Sequence, residues 1–184
     1  MMPGRNLDPE RGQPPAIREY PVLQSGLMDH RKFDANQTRS VLRKIPFAML
    51  LGMRLVRLHR DGITLECTLN DNLLNSAGAL HGGVSAALAD AAVGVAIHRH
   101  LGEYRPITTV EMTINYFRPV TEGRVSARSR LLRVGSTLCA GRVDITDAQK
   151  RVAGTAIVTY MRVGATKAAS SGRLPTARLG SDRR

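Results

Sequence analysis

Asp90 is the only charged side chain in the sixteen-residue run Gly82–Ile97, GGVSAALADAAVGVAI. Read as a helix, the run puts Gly83, Ala86, Ala87, Val93, Gly94 and Ile97 on the face of that carboxylate. No cation lies within helical reach. An unpaired, ionised carboxylate among small apolar groups is costly, so Asp90 must find a partner or hold a proton. Two readings follow. Either a backbone group or hydroxyl of a facing sheet satisfies the carboxylate, or it is a general base or nucleophile that a substrate reaches past small neighbours. The small residues also permit close packing on a sheet or a partner subunit.

Immediately upstream, Asn75-Ser-Ala-Gly78-Ala-Leu-His81-Gly82-Gly83 runs straight into the helix N-terminus. First-turn amides have no intrahelical acceptor, and glycines let a ligand approach them. Such amides, with the helix dipole behind them, can hold an oxyanion. Singly, His81 reads as a helix cap and the glycine pair as a tight turn. Together, an amide side chain, an imidazole, oxyanion donors and a buried carboxylate match the needs of acyl transfer. A Ser–His–Asp triad fits less well, because no GxSxG elbow is present and Ser85 sits inside the helix.

These groups need elements to hold them. Asn36–Lys44 reads as a short helix ending before Pro46. Met53–His59 and Gly62–Asn70 read as strands around Arg60-Asp61-Gly62. In the second of them, Ile63, Leu65, Cys67 and Leu69 alternate with Thr64, Glu66 and Thr68. Asp71–Gly78 is a loop by composition, and the long helix runs from His81 to Leu101. Four strand-like runs follow, Ile107–Phe117, Arg124–Val134, Thr137–Thr146 and Arg151–Val163, with turn chemistry between the last three that predicts antiparallel hairpins. The expected class is α+β, with one long helix lying on an antiparallel sheet. Being apolar all round, that helix is expected to be buried on all sides.

Composition narrows the function classes. The 184 residues suit one domain with tails: an arm over 1–40, a patterned domain over 41–164, and a basic, disordered tail over 165–184. The formal charge of +12 is spread along the chain, but with only four Tyr, three Phe and no Trp the stacking aromatics of a single-strand binder are missing. No specific nucleic-acid partner is expected. No apolar run is long enough to span a membrane, and the N-terminus lacks a secretory h-region, so a cytoplasmic protein is expected. Cys67 and Cys139, far apart and in no CxxC, read as reduced thiols rather than as a disulfide or zinc site. His98 and His100 flank Arg99 where cations favour the helix dipole, so no metal site is assigned.

Asn75-x2-Gly78-x2-His81-Gly82-Gly83-x6-Asp90 resembles the signature of PaaI-type acyl-CoA thioesterases of the hotdog-fold superfamily. Pro46-Phe47…Leu51-Gly52-Met53 upstream and Thr109-Val110-Glu111…Asn115-Tyr116-Phe117-Arg118-Pro119-Val120 downstream fit as well, as do Gly123 and Gly135. The likeness spans about residues 45–163 and leaves out the arm and tail. It implies a hotdog fold, a long central helix wrapped by a curved antiparallel sheet, in a homodimer or homotetramer whose active sites lie at the dimer interface. It further implies Asp90 as general base or nucleophile, and the Gly82 amide, joined by Gly83, as the oxyanion site. Asn75 would orient the water or thioester, His81 would hold the loop or polarise the carbonyl, and Thr109 would position the attacking water. Asn75 and Gly82 would come from one subunit, Asp90 and Thr109 from the other.

In a CoA enzyme the nucleotide phosphates would meet Arg133 or the turn Gly135-Ser136-Thr137. Arg118, or Arg128 and Arg130 on what is ordinarily a solvated strand face, are the other choices. The implied reaction is hydrolysis of an acyl-CoA, aliphatic or aryl, without cofactor. An acyl-carrier-protein thioester is a close variant. A non-catalytic acyl-CoA binder or regulator is the alternative, against which the presence of Asp90 counts.

Overall fold

A computed structural model describes residues 32–163. The arm up to residue 31 and the tail beyond 163 lie outside the described residues, and so do the expectations placed on them.

The chain enters the fold through helix α1 (Ala35–Arg43), started by a capping box. Asp34 accepts from the Gln37 amide at 2.8 Å, and the Gln37 side chain accepts from the Asp34 amide at 3.0 Å. Thr38, Val41 and Leu42, three and four residues apart, form its buried face. The helix crosses the boundary expected at residue 40, so residues 35–40 belong with the folded unit. Pro46, expected only to end this helix, also opens a second one, α2 (Pro46–Leu50), at the position where a missing N–H costs nothing.

Strands β1 (Arg54–His59) and β2 (Gly62–Thr68) form the expected hairpin. After a 3₁₀ turn at Asp71–Leu73 and the Asn75–Leu80 loop comes α3 (Gly82–Leu101), which stops where Gly102 takes φ +67°. Then follow β3 (Ile107–Tyr116), β4 (Arg124–Val134), β5 (Leu138–Thr146) and β6 (Val152–Arg162). The six strands make one antiparallel sheet in the order β1-β2-β4-β5-β6-β3. This is the hotdog architecture. The period-two residues Ile63, Leu65 and Cys67 face α3 together with Val125, Ala127, Val143, Ile145 and Val158, all buried.

One expectation is corrected. The long helix is not buried on all sides, because the sheet and the α1–α2 pair cover only part of its circumference. Gly83 is exposed, and Ala86, Ala87 and Asp90 are partly exposed, whereas Leu88, Ala89, Ala92 and Val93 are buried. The open stripe is therefore the N-terminal half of the Asp90 face, from Gly83 to Asp90, while Val93, Gly94 and Ile97 on the same face are buried. A sequence cannot distinguish small residues that pack against a sheet from small residues that leave a passage.

Both cysteines are free, fully buried, and pushed up by that burial. An aromatic disulfide reagent is accordingly expected to titrate neither thiol in the native protein and both after denaturation. Rapid reaction of either native thiol would contradict this packing.

Candidate active site

The loop before α3 is organised by Asn75. Its side-chain carbonyl accepts from the amides of Ala77 at 2.9 Å and Ala79 at 3.1 Å, and its own amide bonds the Ala79 carbonyl at 2.7 Å. The acceptor end of Asn75 is thus used by the loop, which leaves its Nδ2 hydrogens as the end available to a ligand.

His81 caps α3. Its Nδ1 accepts from the Gly83 amide at 3.0 Å, which in the neutral ring puts the proton on Nε2. This corrects the expectation for Gly83, whose amide is already engaged by the cap. Among the described residues, the Gly82 amide is left without an acceptor. The Tyr116 hydroxyl donates to the Gly82 carbonyl at 2.9 Å and fixes the first turn from the sheet side. Asn75, Gly82, Ser85, Tyr116 and Arg118 line one cavity of about 430 Å³.

Asp90 lines a different one. The Thr109 hydroxyl donates to Asp90 Oδ1 at 2.8 Å, which supplies the partner the carboxylate needed. A β-bulge gives Thr109 its aim. Thr109 pairs with Tyr160, but Glu111 pairs with Thr159, so the register shifts by one between them. In a regular strand Thr109 and Glu111 would face the same way; the extra residue, Val110, turns Thr109 to the helix while Glu111 stays outside. The cavity at Asp90, about 390 Å³, is walled by Val41, Ile45, Phe47 and Met53 from the α1–α2 side and by Ala87 and Ala91 of α3.

Gly82 and Asp90 are eight residues apart on one helix, about 12 Å along its axis. Within one chain, then, they cannot both reach a single carbonyl group. The structure brings together Asn75, His81 and Gly82 in one place and Asp90 with Thr109 in another.

Arg133, Gly135, Ser136 and Thr137 share a third cavity, of about 420 Å³, at the β4–β5 turn. Val134 is level with Thr109 across Cys139 and Tyr160, three strand spacings or about 14 Å away. Arg128 and Arg130, by contrast, are paired with Asp61 and Asp144, as a solvated strand face would have them. His98 places each ring nitrogen 2.8 Å from a backbone carbonyl oxygen, of Gly94 and of Arg105. No cluster of three candidate metal ligands occurs among the described residues. No helix among them is long and apolar enough to cross a membrane.

A family model described as the thioesterase superfamily matches residues 77–170, which takes in the end of the loop from Ala77, the whole of α3 and strands β3 to β6. The chain belongs to the thioesterase superfamily.

Its relatives bear this out. The medium/long-chain acyl-CoA thioesterase YigI of Escherichia coli is 28% identical over 132 residues, covering 64% of this chain and 85% of the relative. A Haemophilus influenzae thioesterase structure superposes with a TM-score of 0.68 at 21% identity, over 76% of this chain and 97% of the other. The PaaI protein of the E. coli phenylacetic acid degradation operon gives 0.63 at 20% identity, over 71% and 94%. At those identities the two structures speak to the thioesterase fold alone.

Two residues in these two places escaped the sequence as functional candidates. Tyr116 figured only as part of a resemblance, and Tyr160 not at all. The latter's one sequence signal is indirect: a glycine, Gly94, one helical turn beyond Asp90.

Proposed function

We propose that this thioesterase hydrolyses an acyl-CoA thioester with an apolar acyl or aryl group, at a site completed by a second copy of the chain. The observation that carries the reading is the Asp90–Thr109 pair opening onto a cavity walled mainly by apolar side chains, with His98, Tyr104 and Thr108 also in its lining, 12 Å or so of helix away from the unoccupied Gly82 amide. Strand β3 is the last in the sheet, and its outer row of backbone groups is open to pairing with the same strand of a partner. Such a side-by-side dimer would bring one copy's Gly82 amide toward the other copy's Asp90.

In this reading Asp90 takes a proton from water, whose oxygen attacks the thioester carbon. The Thr109 hydroxyl, which donates a hydrogen bond to Asp90 and keeps its proton, accepts one from the same water on its oxygen lone pair. The developing oxyanion accepts from the Gly82 amide, with the helix dipole behind it. Collapse of the tetrahedral adduct breaks the C–S bond. The CoA thiolate then takes the proton that Asp90 holds, so that acid and thiol leave and the carboxylate is restored. Asn75 Nδ2 donates to the thioester or the water, and His81 holds the loop through its cap. Arg133 and the Gly135-Ser136-Thr137 turn would receive the nucleotide phosphates.

The test is thiol release from a series of CoA esters, from acetyl through long aliphatic chains to aryl groups. Because the walls are mainly apolar, kcat/KM is expected to rise about fourfold per added methylene until the cavity is full, the transfer energy of one CH₂ expressed as a rate ratio. Binding of the esters without thiol release would replace the hydrolase with an acyl-CoA binder.

A further inference from the structure

We infer that Tyr160 is a positioning residue for Asp90, and that Gly94 is glycine in order to admit it. The inference rests on the reading of Asp90 as the base.

Three observations meet at this point. First, the Tyr160 hydroxyl donates to the backbone carbonyl of Asp90 at 2.9 Å. In a regular helix that carbonyl already accepts from the amide of residue 94, so Tyr160 supplies a second donor from outside the helix. Such a bond requires access over residue 94. Second, a Cβ built on Gly94 would lie 2.8 Å from the Tyr160 hydroxyl oxygen, closer than real Cβ contacts, and 3.1 Å from the adjacent ring carbon, tighter than most of them. Any other residue there would push the phenol away. Third, Tyr160 is the direct cross-strand partner of Thr109, at the residue before the bulge.

The carboxylate is therefore held from two adjacent strands. On β3, Thr109 bonds Asp90's side chain; on β6, Tyr160 bonds its backbone. Because Thr109 and Tyr160 are paired, the backbones that carry these two anchors are held at a spacing set by the sheet. A carboxylate on a helix face is otherwise free to shift with the helix by fractions of an ångström, and displacements of that order cost rate. Burial first, and the Asp90 charge second, push the Tyr160 phenol far above its ordinary value, so it remains a donor throughout any assay range.

Tyr160→Phe removes the hydroxyl and keeps the ring. It is expected to lower kcat by roughly ten- to a hundredfold while KM for the same ester stays within about twofold, as for a group acting on the transition state only. Gly94→Ala attacks the same contact from the helix side and is expected to give the same split. The double variant is expected to be no worse than Gly94→Ala alone, since the phenylalanine lacks the hydroxyl oxygen, the nearest atom the new Cβ meets, and keeps only the milder ring contact. A brace with no bearing on chemistry would lower the melting temperature and leave kcat per folded oligomer unchanged. That result, with Asp90→Asn inactive, overturns the role of Tyr160 and leaves the base assignment standing. Full activity in Asp90→Asn would instead remove the base assignment, and the positioning role with it.

Discussion

Asp90→Asn is expected to reduce kcat by about 10²- to 10⁴-fold, the range for loss of a positioned general base, with KM for the ester nearly unchanged. Asparagine keeps the size of the side chain and an oxygen for the Thr109 hydroxyl to bond, so the geometry at 2.8 Å survives while the basicity is lost. Asp90 lies in the open stripe of α3 and makes no ion pair among the described residues, so the change is expected to leave stability within about 0.5 kcal/mol. The measurement is steady-state thiol release on the best ester of the series, with melting temperature and oligomer size as controls. An Asp90→Asn enzyme with more than about a tenth of wild-type kcat would rule out general-base chemistry at this carboxylate. Thr109→Val is expected to act in the same direction but less, because it removes the hydroxyl that holds the carboxylate and water and leaves the base itself.

The fold was legible wherever one element could be judged alone. The alternation Ile63, Leu65, Cys67 marks the inner face of β2 because a half-buried strand repeats every two residues. Gly102 and Pro46 punctuate helices for reasons of backbone geometry that act locally. The candidate site was local in the same sense. Asn75, His81, Gly82 and Asp90 lie within sixteen residues, and one loop and one helix fix their order. What depended on distant pairing was hidden. Nothing near Thr109 reveals the bulge at Val110, because a bulge exists only relative to a partner strand. Tyr160 is seventy residues from the carbonyl it bonds. The open stripe around Asp90 follows from where the sheet and α1–α2 end, and the ion pairs that occupy Arg128 and Arg130 come from Asp61 on the neighbouring hairpin and Asp144 on β5. The Gly83 amide was misjudged for a subtler reason, since a histidine cap and an oxyanion site compete for the same first-turn donors.

The second large effect belongs to Gly82→Pro, which deletes the N–H and puts a ring carbon in its place. Gly82 is the first residue of α3, where proline is at home in a helix. His81 before it has φ −61° and ψ 131°, the extended conformation a following proline demands. The new Cβ would stand 3.2 Å from the Tyr116 ring carbon and hydroxyl, a contact that side chain must relieve by a few tenths of an ångström. Gly82→Ala introduces the same Cβ and keeps the N–H, so it controls for the contact with Tyr116. Loss of one oxyanion donor is expected to cost proline about 10²- to 10³-fold in kcat, with alanine close to wild type. Equal losses in both would trace the effect to Tyr116 instead. Combining this variant with Asp90→Asn then tests who completes the site. If one copy's Gly82 serves the other copy's Asp90, a mixed dimer keeps one intact site and one doubly broken one. Random pairing of the two inactive chains should restore about a quarter of wild-type activity, since half the dimers are mixed and each has half its sites. If both groups came from one chain, every site in the mixture would lack one of them and nothing would return. The 12 Å or so of helix between residues 82 and 90 favours the shared arrangement, and the mixing experiment tests it in the assembled enzyme.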